Sequence, residues 1–347
     1  MLYQTKNPHG GDIYDGEVEL DFSANTNPFG TPRGVIRAVT DSLQNMHRYP
    51  DPYCRELIRA LAEFEGVEES WLLCGNGAAD LIYAYCQAVR PRTAAEPAPT
   101  FSEYALGLAR VGCRPEQYLL KQEEDFRITE AILPWLEEKR PEVLFLCNPN
   151  NPTGQLTDPE LMEKIVETTG RLGIRLFVDE CFLDLSDGGV SLRGMLGDNP
   201  HLFLLKAFTK SYGMAGIRRG YCLCSDPRTL GAMAQASQPW NLSSLAQAAG
   251  IAALKETEFL EQTRQLISRE REILRRELQG FGFWVSDSRT NFLLFRGPEG
   301  LDQSLRRRHI AIRSCGNYVG LDSSWYRTAV RLPEENRALL DAISECL

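Results

Sequence analysis

From about Pro52 to Pro239, stretches whose apolar residues recur every three or four positions alternate with short apolar runs. The first kind predicts amphipathic helices over 53–65, 80–89 and 159–172; the second predicts strands over 71–74, 143–147, 176–179, 202–205 and 220–224. Such alternation marks an α/β layer structure built on a largely parallel sheet. Asp158 stands just outside the helix that opens at Pro159, placed to accept from the orphan N–H groups of its first turn.

After Pro239-Trp240 the pattern changes. One long charged helix is predicted over 243–279, then short strands around 291–295, 310–313 and 326–330, and a closing helix from Pro333. These form a second, α+β lobe. The first thirty residues are rich in Gly, Asn and Pro and have little periodicity, so they read as an arm. The expected organisation is an arm over 1–32, a large domain over 33–240 and a small C-terminal domain over 241–347. One segment, 94–99, falls where the alternation asks for a strand, yet Pro97 cannot donate to a ladder; an edge strand and no strand both stay open.

Composition narrows the function. A chain of 347 residues with 43% hydrophobic content has room for one large core and a smaller one. Its formal net charge of -9 opposes broad binding to nucleic acid, and Arg306-Arg307-Arg308, the densest basic run, reads as a solvated helix face. The ten cysteines form no C-x-x-C pair, which points to free thiols in a reducing compartment, with Cys74, Cys147 and Cys181 as small buried hydrophobes. Four scattered histidines assemble no metal site. Met1 to Asn7 lack the apolar core of a signal peptide, and no apolar run approaches the ~20 residues of a membrane span. The expected location is cytoplasmic, with no membrane partner.

Four features carry chemistry, each at a strand end or helix start, where sheets of this class place ligands. Gly75-Asn76-Gly77-Ala78-Ala79-Asp80 is a glycine turn into a helix; its free N–H groups suit a phosphate, although steric need alone can explain glycines there. Asn148-Pro149-Asn150-Asn151-Pro152-Thr153-Gly154 is a loop stiffened by two prolines that holds its asparagine amides in set directions. Phe177-Val178-Asp179-Glu180 brings a carboxylate to the end of an apolar strand; such a group either caps the next turn or pairs with a cation such as a protonated pyridine. Finally, Thr209-Lys210-Ser211 sets a lysine among hydroxyls and glycines, with Arg218 eight residues on as a phosphate fork. A single lysine is ordinarily solvated. The four together, in this order, point elsewhere.

On those residues the chain resembles the fold-type-I pyridoxal-phosphate enzymes, in the branch of the histidinol-phosphate aminotransferases, over essentially its whole length. N-P-N-N-P-T-G, D-E and T-K followed by G-I-R-R-G-Y carry the likeness. Within that branch, His9-Gly10-Gly11, the run from Asp21 to Pro28 and the run from Arg313 to Asp322 are similar to the L-threonine-O-3-phosphate decarboxylases of cobalamin biosynthesis.

The resemblance implies an aspartate-aminotransferase-like fold: a large domain with a mainly parallel seven-stranded sheet between helices, plus a smaller α+β domain. It implies pyridoxal 5'-phosphate held as a Schiff base on Lys210, with Asp179 on the pyridine nitrogen, Asn151 at the ring oxygen and Phe101 stacked on the ring. Gly77, Ala78, Ala79, Thr209 and Arg218 would hold the cofactor phosphate, and Tyr49 would reach the neighbouring subunit's cofactor in a homodimer. Arg327 would hold the substrate carboxylate, and His9, Asn25 and Arg313 the substrate phosphate, with Asn151 also near the substrate. Two positions depart from the pattern. Phe182 stands where transaminating relatives commonly have tyrosine, which leans toward decarboxylation, and Ala207 where relatives often have Ser or Thr. A histidinol-phosphate aminotransferase and a non-catalytic cofactor-binding module remain as rival readings.

Overall fold

The computed structural model describes residues 9–347, so the expectation for the first seven residues lies outside the described part. Seven strands form the central sheet, in the spatial order Leu72–Gly75, Gly220–Leu223, Leu202–Ala207, Arg175–Asp179, Val143–Cys147, Ala94–Ala98, Pro115–Leu119. All neighbours run parallel except Gly220–Leu223, which is antiparallel to both strands beside it. The expected α/β fold with a mainly parallel seven-stranded sheet is therefore the observed one. Parallel pairing puts the C-terminal ends of three central strands along one edge, in register at Cys147, Asp179 and Leu205.

Alternation along the strands sends successive side chains to opposite faces. Phe145, Phe177 and Phe203 pack with Tyr85 on one face, the Phe177 and Phe203 rings 4.7 Å apart. Leu144, Leu176, Val178 and Leu204 fill the other, against Leu161 and Ile165 of helix Pro159–Leu172. Each fully buried ring or aliphatic chain contributes about 1.5–3 kcal/mol. The helix begins as its sequence indicates: Asp158 accepts from the N–H groups of Glu160 and Leu161, and Gly173 at φ 70° ends it.

A four-stranded antiparallel sheet follows, in the order Arg313–Ser314, Trp325–Ala329, Phe292–Arg296, Trp284–Val285. It packs with helices Thr257–Gly280 and Pro333–Ser344. Part of the arm is ordered against this region, since Leu20–Asp21 pairs in parallel with Ile310–Ala311.

The structure differs from the sequence pattern at three places. The single long helix is two, Ser244–Ala253 and Thr257–Gly280. Lys255 and Glu256 donate to Ala252 and Ala253, three residues back, which tightens the end of the first helix. Apolar periodicity passes over this join because Ala249, Ala253, Leu260 and Ile267 all enter the same core. Segment 94–98 is an internal strand, not an edge. Its bridges toward Val143–Cys147 stop at Ala95, two residues before Pro97, which has no N–H to give. The edge is Pro115–Leu119, a polar strand with one neighbour and no periodic signal. Among the described residues the ten cysteines are free, nine of them buried, and no helix is long and apolar enough to cross a membrane.

Candidate active site

A cavity of about 210 Å³ opens at the C-terminal edge of the central sheet. The structure brings together at its walls Ala78, Ala79, Phe101, Asn151, Asp179, Thr209, Lys210 and Arg218, and from the arm and second sheet His9, Asn25, Arg313 and Arg327. These residues span most of the chain; most leave a strand end, a helix start or the arm, while Arg327 projects from the middle of strand Trp325–Ala329.

Asp179 ends its strand with its carboxylate 4% exposed. One oxygen accepts from the Cys181 N–H at 2.9 Å and the other from the Tyr104 hydroxyl at 2.7 Å. Burial nevertheless pushes its carboxyl above the ordinary value, against those hydrogen bonds and the Lys210 charge. Asp179 thus both caps the following turn and offers an anionic acceptor to a cation in the cavity.

Lys210 sits in the short helix Phe208–Ser211 directly after strand Leu202–Ala207. Its ammonium is pushed down to about 8, first by burial, then by the charges of Arg327 and Arg218. Nζ lies 5.9 Å from the Phe182 ring centre and has no hydrogen-bond or ion-pair partner among the described residues. A lysine so placed supplies the neutral nucleophile at a far lower pH than an ordinary lysine does.

The glycine turn forms a cradle at the start of helix Ala78–Val89, whose first N–H groups have no acceptor within the helix. Gly77 has φ +85°, and a Cβ there would come within 2.7 Å of an Arg218 Nη. Gly220 likewise lies so close beneath that a Cβ on it would meet the Gly77 carbonyl carbon at 2.8 Å. Helix N–H groups and one arginine fork converge on one point, as an anionic phosphate requires. At Ala207 the cavity wall is a methyl group with no donor, and at Phe182 it is a ring packed edge-on against Phe292.

Arg327 is 6% exposed and makes no ion pair among the described residues. Its guanidinium donates to Asn151 Oδ1 at 2.5 Å and to the Ser23 carbonyl at 2.8 Å. With the Asn25 amide oxygen turned toward it, Nε also donates there at 3.1 Å. Burial, and then the Arg313 charge, holds Arg327 below the ordinary arginine value. Arg313 itself donates to Asn317 Oδ1 at 2.7 Å and to the Ser314 carbonyl, with its guanidinium 5.5 Å from the Tyr318 ring centre.

His9 places Nε2 2.5 Å from Glu103 Oε1. Glu103 also accepts from the Tyr83 hydroxyl at 2.7 Å; burial opposes ionisation, but these two bonds hold its carboxyl below the ordinary value. Tyr49 is not at this cavity: it is 79% exposed, its ring 4.6 Å from that of Trp240, beside a separate hollow. Tyr104 and Glu103 carry no signal in the sequence, and Ser23 and Tyr318 stand there only as members of the runs Asp21 to Pro28 and Arg313 to Asp322, with no role of their own. Tyr104 and Glu103 follow Phe101 closely, but no local pattern says which chain segment they meet.

The residues fit pyridoxal phosphate. A buried carboxylate held only by neutral donors matches a protonated ring nitrogen, a depressed lysine matches a carbonyl to be captured, and the Gly77 cradle matches a phosphate.

The fold and this constellation define the protein class, and the comparison with known families agrees. The model for aminotransferase class I and II matches residues 17–343, and the chain belongs to that family. It is 37% identical to a threonine-phosphate decarboxylase of Salmonella typhimurium, over 98% of this chain and 96% of that one. It is 35% identical to a histidinol-phosphate aminotransferase of Desulfitobacterium hafniense, over 95% of this chain and 92% of that one. The crystal structure of the histidinol-phosphate aminotransferase from Clostridium acetobutylicum superposes with a TM-score of 0.87 at 27% identity, covering 94% of this chain and 98% of that one.

Proposed function

We propose that this chain is a pyridoxal-phosphate-dependent lyase that decarboxylates L-threonine O-3-phosphate to (R)-1-amino-2-propanol phosphate and CO₂, a step of cobalamin biosynthesis. The observation that carries the reading is the placement of Arg327, a buried guanidinium with neutral partners only, facing the same cavity as Lys210. A buried charge without a counter-ion is costly, and a substrate carboxylate removes that cost. The 37% identity to a threonine-phosphate decarboxylase supports the same choice.

When bound, the cofactor supplies a sink for the electron pair left at Cα. The roles of this chain's residues follow from where they stand. Asp179 would keep the ring nitrogen protonated, Lys210 would tether the cofactor and move a proton at Cα, and Ala78, Ala79, Thr209 and Arg218 would hold the cofactor phosphate behind Gly77. Arg327, steadied by Asn151 and Asn25, binds the carboxylate, and Arg313 with His9 binds the substrate phosphate. Anchoring the substrate at both its carboxylate and its phosphate would fix its orientation in the cavity, and with it which bond at Cα is presented for cleavage. Phe182 brings no hydroxyl to the ring oxygen, which disfavours transamination. The protein acts as a homodimer in which exposed Tyr49 completes the partner's phosphate site.

The second reading, histidinol-phosphate aminotransferase, rests on the 35% identity to such an enzyme. Histidinol phosphate has no carboxylate, so Arg327 would serve only the keto-acid partner. Purified protein with pyridoxal phosphate and threonine phosphate should release CO₂ and aminopropanol phosphate. Keto acid formed without CO₂ rejects the lyase reading.

A further inference from the structure

The sheet face opposite the cavity is aliphatic along strand Leu202–Ala207 at Leu202 and Leu204, and then carries Lys206. This lysine is buried, its side chain 8% exposed, and it bridges two carboxylates: Glu65 Oε1 at 3.1 Å and Glu180 Oε2 at 3.5 Å. Glu65 ends helix Arg55–Glu65 and also accepts from the Tyr221 hydroxyl and from Arg193 at 2.8 Å. Glu180 accepts from the Ser191 hydroxyl at 2.7 Å and the Leu192 N–H at 2.9 Å. Lys206 hydrogen-bonds to Glu65 and pairs with Glu180, the charge of Asp184 acts on it as well, and these links join separate elements.

What the network joins is specific. Glu180 is the residue after Asp179, and Lys206 lies four residues before Lys210 in the strand that delivers it. Tyr221 follows Gly220, which lies against the Gly77 turn. Resting on the cofactor reading above, we infer that Lys206, through Glu180 and Glu65, is a positioning residue that holds the ends of three strands in the register that sets Asp179, Lys210 and the phosphate cradle against one another. The two carboxylates facing Lys206 are buried, so what this position calls for is a positive charge rather than apolar bulk. A charge bridging two strand ends resists sliding and splay, because any displacement leaves a buried carboxylate without its partner.

The test compares wild type, Lys206→Met, Lys206→Arg and Glu180→Gln, each purified and loaded with pyridoxal phosphate. Cofactor affinity, visible circular dichroism of the bound cofactor, melting temperature, kcat and KM are measured on all four. Lys206→Met should weaken cofactor binding about 10- to 100-fold and change the visible dichroism, with kcat falling more than KM rises, as a small misplacement of reacting groups does. Lys206→Arg should restore the dichroism. Glu180→Gln, which keeps its shape, should show the same changes to a smaller extent and carries the test if Lys206→Met does not fold. A folded variant with only a lower melting temperature, and wild-type dichroism and affinity, overturns the inference. A wild type that captures no cofactor overturns both it and the cofactor reading.

Discussion

Arg313 and Arg327 are direct partners across the antiparallel strands Arg313–Ser314 and Trp325–Ala329, so two guanidinium groups share one face and both reach the cavity of Lys210. Like charges directly opposite one another destabilise a sheet by a fraction of a kcal/mol or more. The arrangement makes sense for a ligand with two anionic groups. Arg327→Met should lower kcat/KM for threonine phosphate by about a hundredfold or more, the effect of truncating one partner of a buried charge pair. Arg313→Met should act mainly on KM. Steady-state assays of CO₂ release decide this, and unchanged kinetics in the Arg327 variant would remove it from the site.

Lys210 makes the capture of the cofactor depend on pH in a fixed direction. Its folded-state value of about 8 lies below the ordinary lysine value, so the neutral amine gains population as pH rises through 8. Stopped-flow mixing of cofactor-free protein with pyridoxal phosphate should show a capture rate that climbs between about pH 7 and 9 and then levels off. A flat profile contradicts the depressed amine. Lys210→Ala should abolish both covalent capture and turnover.

Gly77 is required by space as well as by conformation. In Gly77→Ala the new methyl would meet the Arg218 guanidinium at 2.7 Å, and φ +85° disfavours a Cβ by about 1–3 kcal/mol. Cofactor affinity should fall by at least about tenfold, while the far-ultraviolet dichroism stays that of the wild type. Titration of the cofactor's visible band measures it.

Glu96 should make stability depend on pH for reasons unrelated to catalysis. It is 4% exposed in strand Ala94–Ala98, one oxygen accepting from Gln117 Nε2 at 2.8 Å and the other without a donor. Burial pushes its carboxyl up to about 7. The folded state therefore holds a proton more tightly than the unfolded chain. That stabilisation is complete below the unfolded value near 4.5 and is lost as pH rises to about 7, a difference of about 3 kcal/mol. Glu96→Gln should raise the melting temperature at pH 8 and leave it nearly unchanged at pH 4. Equal shifts at both would show that Glu96 does not titrate in this window.

Much of this was legible in the chain itself, because it depends on neighbours in sequence. The apolar runs at Val143–Cys147 and Arg175–Asp179, the Asp158 cap and the stiff Asn148 to Gly154 loop are local properties, set by periodicity and by proline's fixed φ. Lys210, Asp179, Asn151 and Arg218 stood out because each ends or follows such an element. Tertiary structure decided what no local pattern encodes. It placed Arg313 opposite Arg327, His9 on Glu103 across 94 residues, the Tyr104 hydroxyl on Asp179, and Lys206 between two carboxylates. It also turned the chain at Leu254–Glu256 and paired the polar edge strand Pro115–Leu119. The physical reason is one of range: periodicity records which face of an element is buried, whereas a hydrogen bond between distant segments depends on where the whole sheet carries them.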